Sequence, residues 1–333
     1  MGPAESRIVA PEGYAGLTED AAWAEVADRG LLEVRGPDAS DFLQRILASD
    51  AAALEPGHGQ WSALLDGRGH WVTEAILFRD PVQADVFLLD LPEERLEPVA
   101  QRLETLHFAE DLTLAPHAEG AGRLLVAGPR AAARLGEAEL PVPDAGDGFG
   151  ITALGDEGLV LRRADRGVPA WEVIAPTPRR EELRRSLRDA GVAEASPEAL
   201  ETVRIEAFQP KWGVDLTEAE TLPVSDEWRR ASLAKGCYPG QEVVARVNTY
   251  GEAPRRLVRL FADAPIAGLS GAELLSPEGR RLGEVRSWTV SPRHGVGVGL
   301  GLVRRRAARD GFQLVARMAD DGASVSVRLA EPA

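Results

Sequence analysis

The chain has 333 residues, a net charge of −15, 44% hydrophobic and 27% charged residues, and one cysteine. That balance excludes a broad basic face for nucleic acid or anionic membrane, a membrane-spanning apolar run, and any intrachain disulfide or cysteine-built metal cluster. The expectation is a soluble globular protein of two or three domains in a reducing cytoplasm.

Residues 1–20 are polar and aperiodic and read as an arm. Gly30–Gly36 reads as a short strand. A helix follows, with Phe42, Leu43, Ile46 and Leu47 on one face at helical spacing. Trp61–Leu65, Trp71–Phe78 and Ala84–Leu91 read as antiparallel strands, the first two joined by the turn Asp66-Gly67-Arg68-Gly69. Pro92-Glu93-Glu94 opens an amphipathic helix to Leu106, since proline and acids suit a helix's first turn.

Strands are expected at Ala109–Ala115, Gly122–Ala127, Leu159–Arg163 and Trp171–Ala175. Helices are expected at Pro129–Leu140, Thr177–Ala190 and Ser196–Phe208, the last with Ser196 as cap and Pro197 at its first position. Residues 142–150 and 211–224 read as loops. From Arg256 onward six short strands with turns predict a small antiparallel β-barrel. The glycine-rich run Gly295–Gly301 lacks the Lys-Ser/Thr of a phosphate loop and reads as one of them. Arg304-Arg305-Arg306 reads as a solvated turn, and Trp61 and Trp71 as sheet packing. The expected class is α+β, with units at 1–115 (completed by about 195–251), 116–195 (small and ferredoxin-like) and 252–333 (the barrel).

One stretch stands out. Of 38 basic residues only Lys211 and Lys235 are lysine; Cys237 is the only cysteine and Asn248 the only asparagine. Lys235, Cys237, Tyr238, Asn248 and Tyr250 fall within sixteen positions. Pro239 and Glu242 predict a helix start there. A cysteine at a helix N-terminus beside a lysine gains thiolate character, which makes Cys237 a candidate for redox or nucleophilic chemistry. The alternative is an inert cysteine packed as a small hydrophobe. No histidine lies near it in sequence, and His70 and His117 lack metal-ligand spacing.

Lys235-Gly236-Cys237-Tyr238-Pro239-Gly240-Gln241-Glu242, continuing through Val244-Ala245-Arg246, resembles the signature of the YgfZ-type folate-binding family, itself similar to the aminomethyltransferase (T-protein) of the glycine cleavage system. Val34–Ala39, Glu201–Ala207, Gly213-Val214-Asp215 and Leu282–Val285 resemble further stretches of that family. The resemblance implies a three-part body around a central channel for tetrahydrofolate or a derivative. It implies an accessory role in assembling or repairing iron–sulfur enzymes, including tRNA-thiolating ones, with Cys237 as the critical thiol. It assigns Lys235, Gly236, Cys237, Tyr238, Gly240, Gln241, Glu242 and Arg246 to the motif, and Glu206 and Tyr238 to the folate.

The transferase relatives carry an aspartate where a gap-free reading places Thr73, with Glu74 next. Threonine cannot act as a carboxylate base. The expectation is therefore a folate-binding accessory protein without classical catalytic activity, with iron–sulfur clients as partners and no metal of its own. A one-carbon transferase and an interaction module with a vestigial pocket are the alternatives.

Overall fold

The computed structural model describes residues 8–117, 121–143, 146, 148–155, 158–309, 312–318 and 323–330. The chain opens with α1 (Tyr14–Glu19), β1 (Ala22–Val26), β2 (Arg29–Arg35), α2 (Ala39–Ile46), β3 (His58–Leu65), β4 (Trp71–Arg79), β5 (Val86–Pro92), α3 (Leu96–Leu106) and β6 (Thr113–Pro116). There follow β7 (Gly122–Ala127), α4 (Ala131–Glu137), β8 (Phe149–Leu154), β9 (Gly158–Arg163), β10 (Ala170–Ala175), α5 (Thr177–Asp189), β11 (Ala193–Glu194) and α6 (Pro197–Glu206). Short α7 (Leu222–Ser225) and α8 (Gln241–Tyr250) precede the strands β12 (Arg255–Ala262), β13 (Glu273–Leu275), β14 (Arg281–Ser291), β15 (Val296–Arg304), β16 (Gln313–Arg317) and β17 (Ser324–Ala330).

The first eleven strands form one sheet in the order β11-β1-β7-β10-β9-β8-β3-β4-β5-β2-β6. It folds over on itself. Leu31, Ile76, Phe78 and Leu88 of one half meet Ile151, Leu161 and Ile174 of the other in a shared apolar layer. The pleat sorts β4 between two cores. Ala75 and Leu77 pack against Phe42, Leu43, Val99 and Leu103 of α2 and α3, while Ile76 and Phe78 face the other half. Full burial of each such large side chain stabilises by about 2 kcal/mol. On the far side α4 and α5 cover Trp23, Val126 and Trp171. Helix α6 lies on the inner face of β1, β7 and β10, through Ala199 and Val203; its cap is the expected one, with Ala199 N donating to Ser196 Oγ at 3.2 Å.

Two expectations change here. The arm contains α1, and the strand just after it, β1, pairs with β7, so this N-terminal strand belongs to the second half of the sheet. Loop 142–150 ends in β8, which pairs with β3 at His58↔Gly150 and Gly59↔Phe149 and makes the sheet continuous. The break expected near residue 115 is therefore not a break in the sheet. Proline, glycine and aspartate before Phe149 masked a strand whose pairing is non-local.

The last six strands close into an antiparallel barrel, β12-β15-β14-β13-β16-β17. The glycine run is strand β15, and its glycines are steric. A Cβ at Gly297 or Gly299 would sit 2.5 or 2.4 Å from the Trp288 ring. Arg304–Arg306 lie at the end of β15 and in a short 3-10 turn. Among the described residues no helix is long and apolar enough to cross a membrane.

Candidate functional site

Where the two sheet halves and α6 meet, a cavity of about 410 Å³ opens. One wall is apolar: Leu17, Ala24, Leu125, Val168 and Leu200. The other carries charge, with Arg29, Glu74, Asp165 and Arg166 deep and Glu201 and Lys211 at the half-exposed mouth. Glu74 reaches it because strand alternation sends it to the inner face. Its neighbour Thr73 is fully buried, with Oγ1 donating to the Glu74 carbonyl at 3.0 Å.

Both Glu74 oxygens are engaged. Arg29 Nη1 donates to one and Arg230 Nη2 to the other, each at 2.6 Å. Behind it lies a largely buried ion network. Arg29 also pairs with Asp90, Arg123 and Arg163 each donate to Asp90 Oδ2 at 2.7 Å, and Arg163 reaches Asp165. Glu172 takes Arg123 at 2.8 Å and Arg166 as well. Burial alone would raise these carboxyls, but the guanidiniums override it and hold Asp90, Asp165 and Glu172 below the usual carboxylate range; at the rim Arg166 brings Asp28 down to about 2. Arg230 continues outward. Its guanidinium lies 4.3 Å from the Trp61 ring, and Trp61 and Arg229 line a second cavity of about 390 Å³ with Ser49, Gln60 and Ser232.

The Lys235–Glu242 motif sits beyond that second cavity. Lys235 is buried, and its ammonium donates to the carbonyls of Gln44, Leu47 and Ser49 at 2.6, 2.5 and 2.7 Å. It thereby caps the C-terminal end of α2 from another part of the chain. Burial pushes its pKa down to about 8. Tyr238 is packed against Trp71, Trp212, Leu222 and Val244; burial pushes its phenol up, and its hydroxyl has no partner. Between these two anchors Gly236 and Cys237 are exposed. A cysteine packed in the core is thus excluded.

The helix start also differs from expectation. Gly240 is the N-cap, at φ +80°, and the first helical residue is Gln241, four positions after the cysteine. Lys235 turns inward, away from the loop's exposed face. Gly240 is required by geometry: a Cβ there would lie 2.6 Å from Asp66 O and 2.7 Å from Gly69 Cα. Gly236 meets nothing within 4 Å. Gln241 Nε2 bonds Lys235 O at 3.5 Å, while Glu242 and Arg246 point to solvent along α8.

Residues 9–226 match the model of the GCVT N-terminal domain. The chain belongs to the GCVT family. Its relatives include a probable aminomethyltransferase of Halobacterium salinarum, 27% identical over 319 residues that cover 92% of this chain and 85% of the relative. An aminomethyltransferase of Thermus thermophilus is 28% identical over 297 residues, covering 88% and 82%. The crystal structure of glycine cleavage system aminomethyltransferase T from Bartonella henselae superposes with a TM-score of 0.87 at 23% identity, covering 96% of this chain and 87% of that one. The GCVT fold is therefore an α+β body that ends in a closed six-stranded barrel.

Within this family frame, the two residues expected to meet folate, Glu206 and Tyr238, stand apart from the cavities at Glu74 and Trp61. Glu206 is at the end of α6, facing the barrel. It accepts from Tyr14 Oη at 2.8 Å and from Ser291 Oγ, with Arg293 N at 3.4 Å. It joins α1, α6 and the barrel. Neither Glu206 nor Tyr238 lines the cavities at Glu74 or Trp61. The carboxylate that does face the central cavity, Glu74, carried a weak sequence signal. A gap-free count lands on Thr73, and only strand alternation separates the two. The ion network carried none, because its arginines and acids come from five strands and the loop after β9, and their pairing is tertiary.

Proposed function

We propose that the protein binds a tetrahydrofolate-type ligand in the cavity at Glu74, transfers no one-carbon unit, and supports iron–sulfur enzymes through the exposed Cys237 loop. The observation that carries this is the state of Glu74. With both oxygens gripped by Arg29 and Arg230, Glu74 is fixed in place as an anchor rather than free to swing toward the ligand's nitrogens. Each oxygen keeps a second lone pair, so Glu74 can still accept an N–H from a pterin. The cavity volume lies within the range of about 300–1,000 Å³ usual for small-molecule sites. Its apolar wall of Leu17, Leu125, Val168 and Leu200 suits a flat ring, and Lys211 at the mouth suits a carboxylate tail. The bound folate would supply a planar hydrogen-bonding ring, and this chain would orient it and exclude water from it.

The YgfZ-like motif supports the accessory role. Lys235 and Tyr238 bury themselves so that Cys237 is presented to solvent, a geometry suited to meeting another protein. The relatives that are aminomethyltransferases favour a second reading, folate-dependent one-carbon transfer. Two assays separate the readings. Purified protein with tetrahydrofolate and a panel of aminomethylated and methylated donors should show no turnover. In cells lacking the native copy, Cys237→Ala should fail to restore iron–sulfur enzyme activity while folding normally. Turnover, or full rescue by Cys237→Ala, would remove the accessory reading.

A further inference from the structure

A cleft of about 200 Å³ lies where α7 and α8 meet the first strand of the barrel. It shares no residue with the cavities at Glu74 and Trp61, so what it binds is independent of folate. Three arginines line it, Arg255, Arg256 and Arg305, with two acids, Asp226 and Glu252. The sixth polar group is Asn248, the chain's only asparagine, exposed on α8. The acids leave part of the guanidinium surface free. Asp226 Oδ2 accepts from Nε and Nη2 of Arg256 at 2.9 and 2.6 Å. Glu252 accepts from Nε and Nη2 of Arg305, each at 3.3 Å. Nη1 of both arginines donates to no described protein group, and the two side chains are 35% and 38% exposed, so a solute reaches them.

Arg255 has no acid partner among the described residues. Directly opposite it, across β12 and β15, stands Arg304, which has none either. Both are exposed. Like charges placed opposite each other on paired strands repel. The chain carries 53 acids against 38 Lys and Arg, yet it leaves this pair unneutralised. With Arg304, four guanidiniums stand against two carboxylates, an excess of two positive charges. The carbonyl end of α8 opposes an anion here, but a helix terminus carries only about half a charge. A phosphate dianion matches the excess, and its oxygens match the paired N–H groups of a guanidinium. The cleft is smaller than the range of about 300–1,000 Å³ usual for whole small-molecule ligands, so it fits a phosphoryl group with little attached. The net charge of −15 works against a long polyanion.

We propose that this cleft binds a phosphoryl group, as inorganic phosphate or as the head of a small phosphomonoester. Arg255 offers its whole fork, and Arg256 and Arg305 each add Nη1. Asn248 donates its amide N–H to a further oxygen. Asp226 and Glu252 hold their arginines in place from the other side. A small ester body has room beside Trp228 and Val247.

The test is calorimetric titration of the full chain at about pH 8 and constant ionic strength. Inorganic phosphate and glycerol phosphate are the probes, and acetate is the control. At least one probe should bind with a Kd of about 1 mM. Tighter binding of phosphate assigns the free anion, and tighter binding of glycerol phosphate assigns an ester head. Acetate, with one charge and two oxygens, should bind at least about tenfold weaker. Arg255→Gln should weaken the better probe at least about fivefold while melting no lower than wild type in phosphate-free buffer, because it removes one of two repelling charges. Should that variant fail to fold, Asn248→Ala on the exposed helix face should weaken the probe at least about twofold. Acetate binding as well as phosphate, wild-type affinity in Arg255→Gln or Asn248→Ala, or no binding of either probe would each overturn the proposal.

Discussion

The surroundings of Glu74 and the loop around Cys237 solve opposite problems, both with buried polar groups. At Glu74 the charges are buried and matched, five arginines against a similar number of acids, so that each carboxylate is held in place by a guanidinium. At Cys237 the flanking polar groups are buried while the thiol is exposed: Lys235 spends its ammonium on three carbonyls and Tyr238 fills a core. The interior thus pairs its polar groups with one another, while the motif pairs its own with the core and leaves its thiol at the surface.

That contrast can be broken from either side. The largest effect is expected inside the network. Arg163→Met strips a guanidinium from Asp90, Asp165 and Glu172 and should destabilise by about 3–5 kcal/mol in urea unfolding. Lys235→Met leaves three carbonyls without their donor and should cost about 3 kcal/mol. A smaller loss would mean that water replaces the ammonium.

Two motif glycines should then separate. Gly240→Ala meets both a left-handed backbone and a 2.6 Å approach to Asp66 O, and should cost about 2 kcal/mol by the same unfolding measurement. Gly236→Ala should stay within about 0.5 kcal/mol. Similar values for the two would contradict the loop geometry.

Acid should also discriminate the two regions. The carboxyls of Asp28, Asp90 and Glu172 have folded pKa values lowered from their ordinary range near 4. Their contribution to stability is therefore present above about pH 4 and is lost progressively as pH falls through the folded values, about 2 for Asp28. Urea midpoints measured from pH 5 to 2.5 should fall steeply, and no less steeply in Cys237→Ser.

Much of the architecture was legible in the sequence because it is local. The barrel strands, the Ser196-Pro197 cap and the α2 stripe of Phe42 and Leu43 follow from periodicity and turn residues. β1 and β8 were missed because their partners, β7 and β3, lie far along the chain. At the site, residue rarity drew attention to Cys237, and its exposure follows from the anchors on either side. The direction in which Lys235 points was not legible, because the end of α2 that it caps lies about 190 residues earlier. Glu74 was hidden by a one-residue ambiguity that only the pleat resolves.

The central claim is that a folate-type ligand occupies the cavity walled by Glu74 and Leu200. Calorimetric titration of tetrahydrofolate into wild type, Leu200→Trp and Cys237→Ala tests it most directly. The account predicts a Kd of about 1 µM or tighter for wild type, the same for Cys237→Ala, and at least about tenfold weaker binding for Leu200→Trp, whose indole enters the cavity. Absence of binding to wild type, or equal binding to Leu200→Trp, would contradict it.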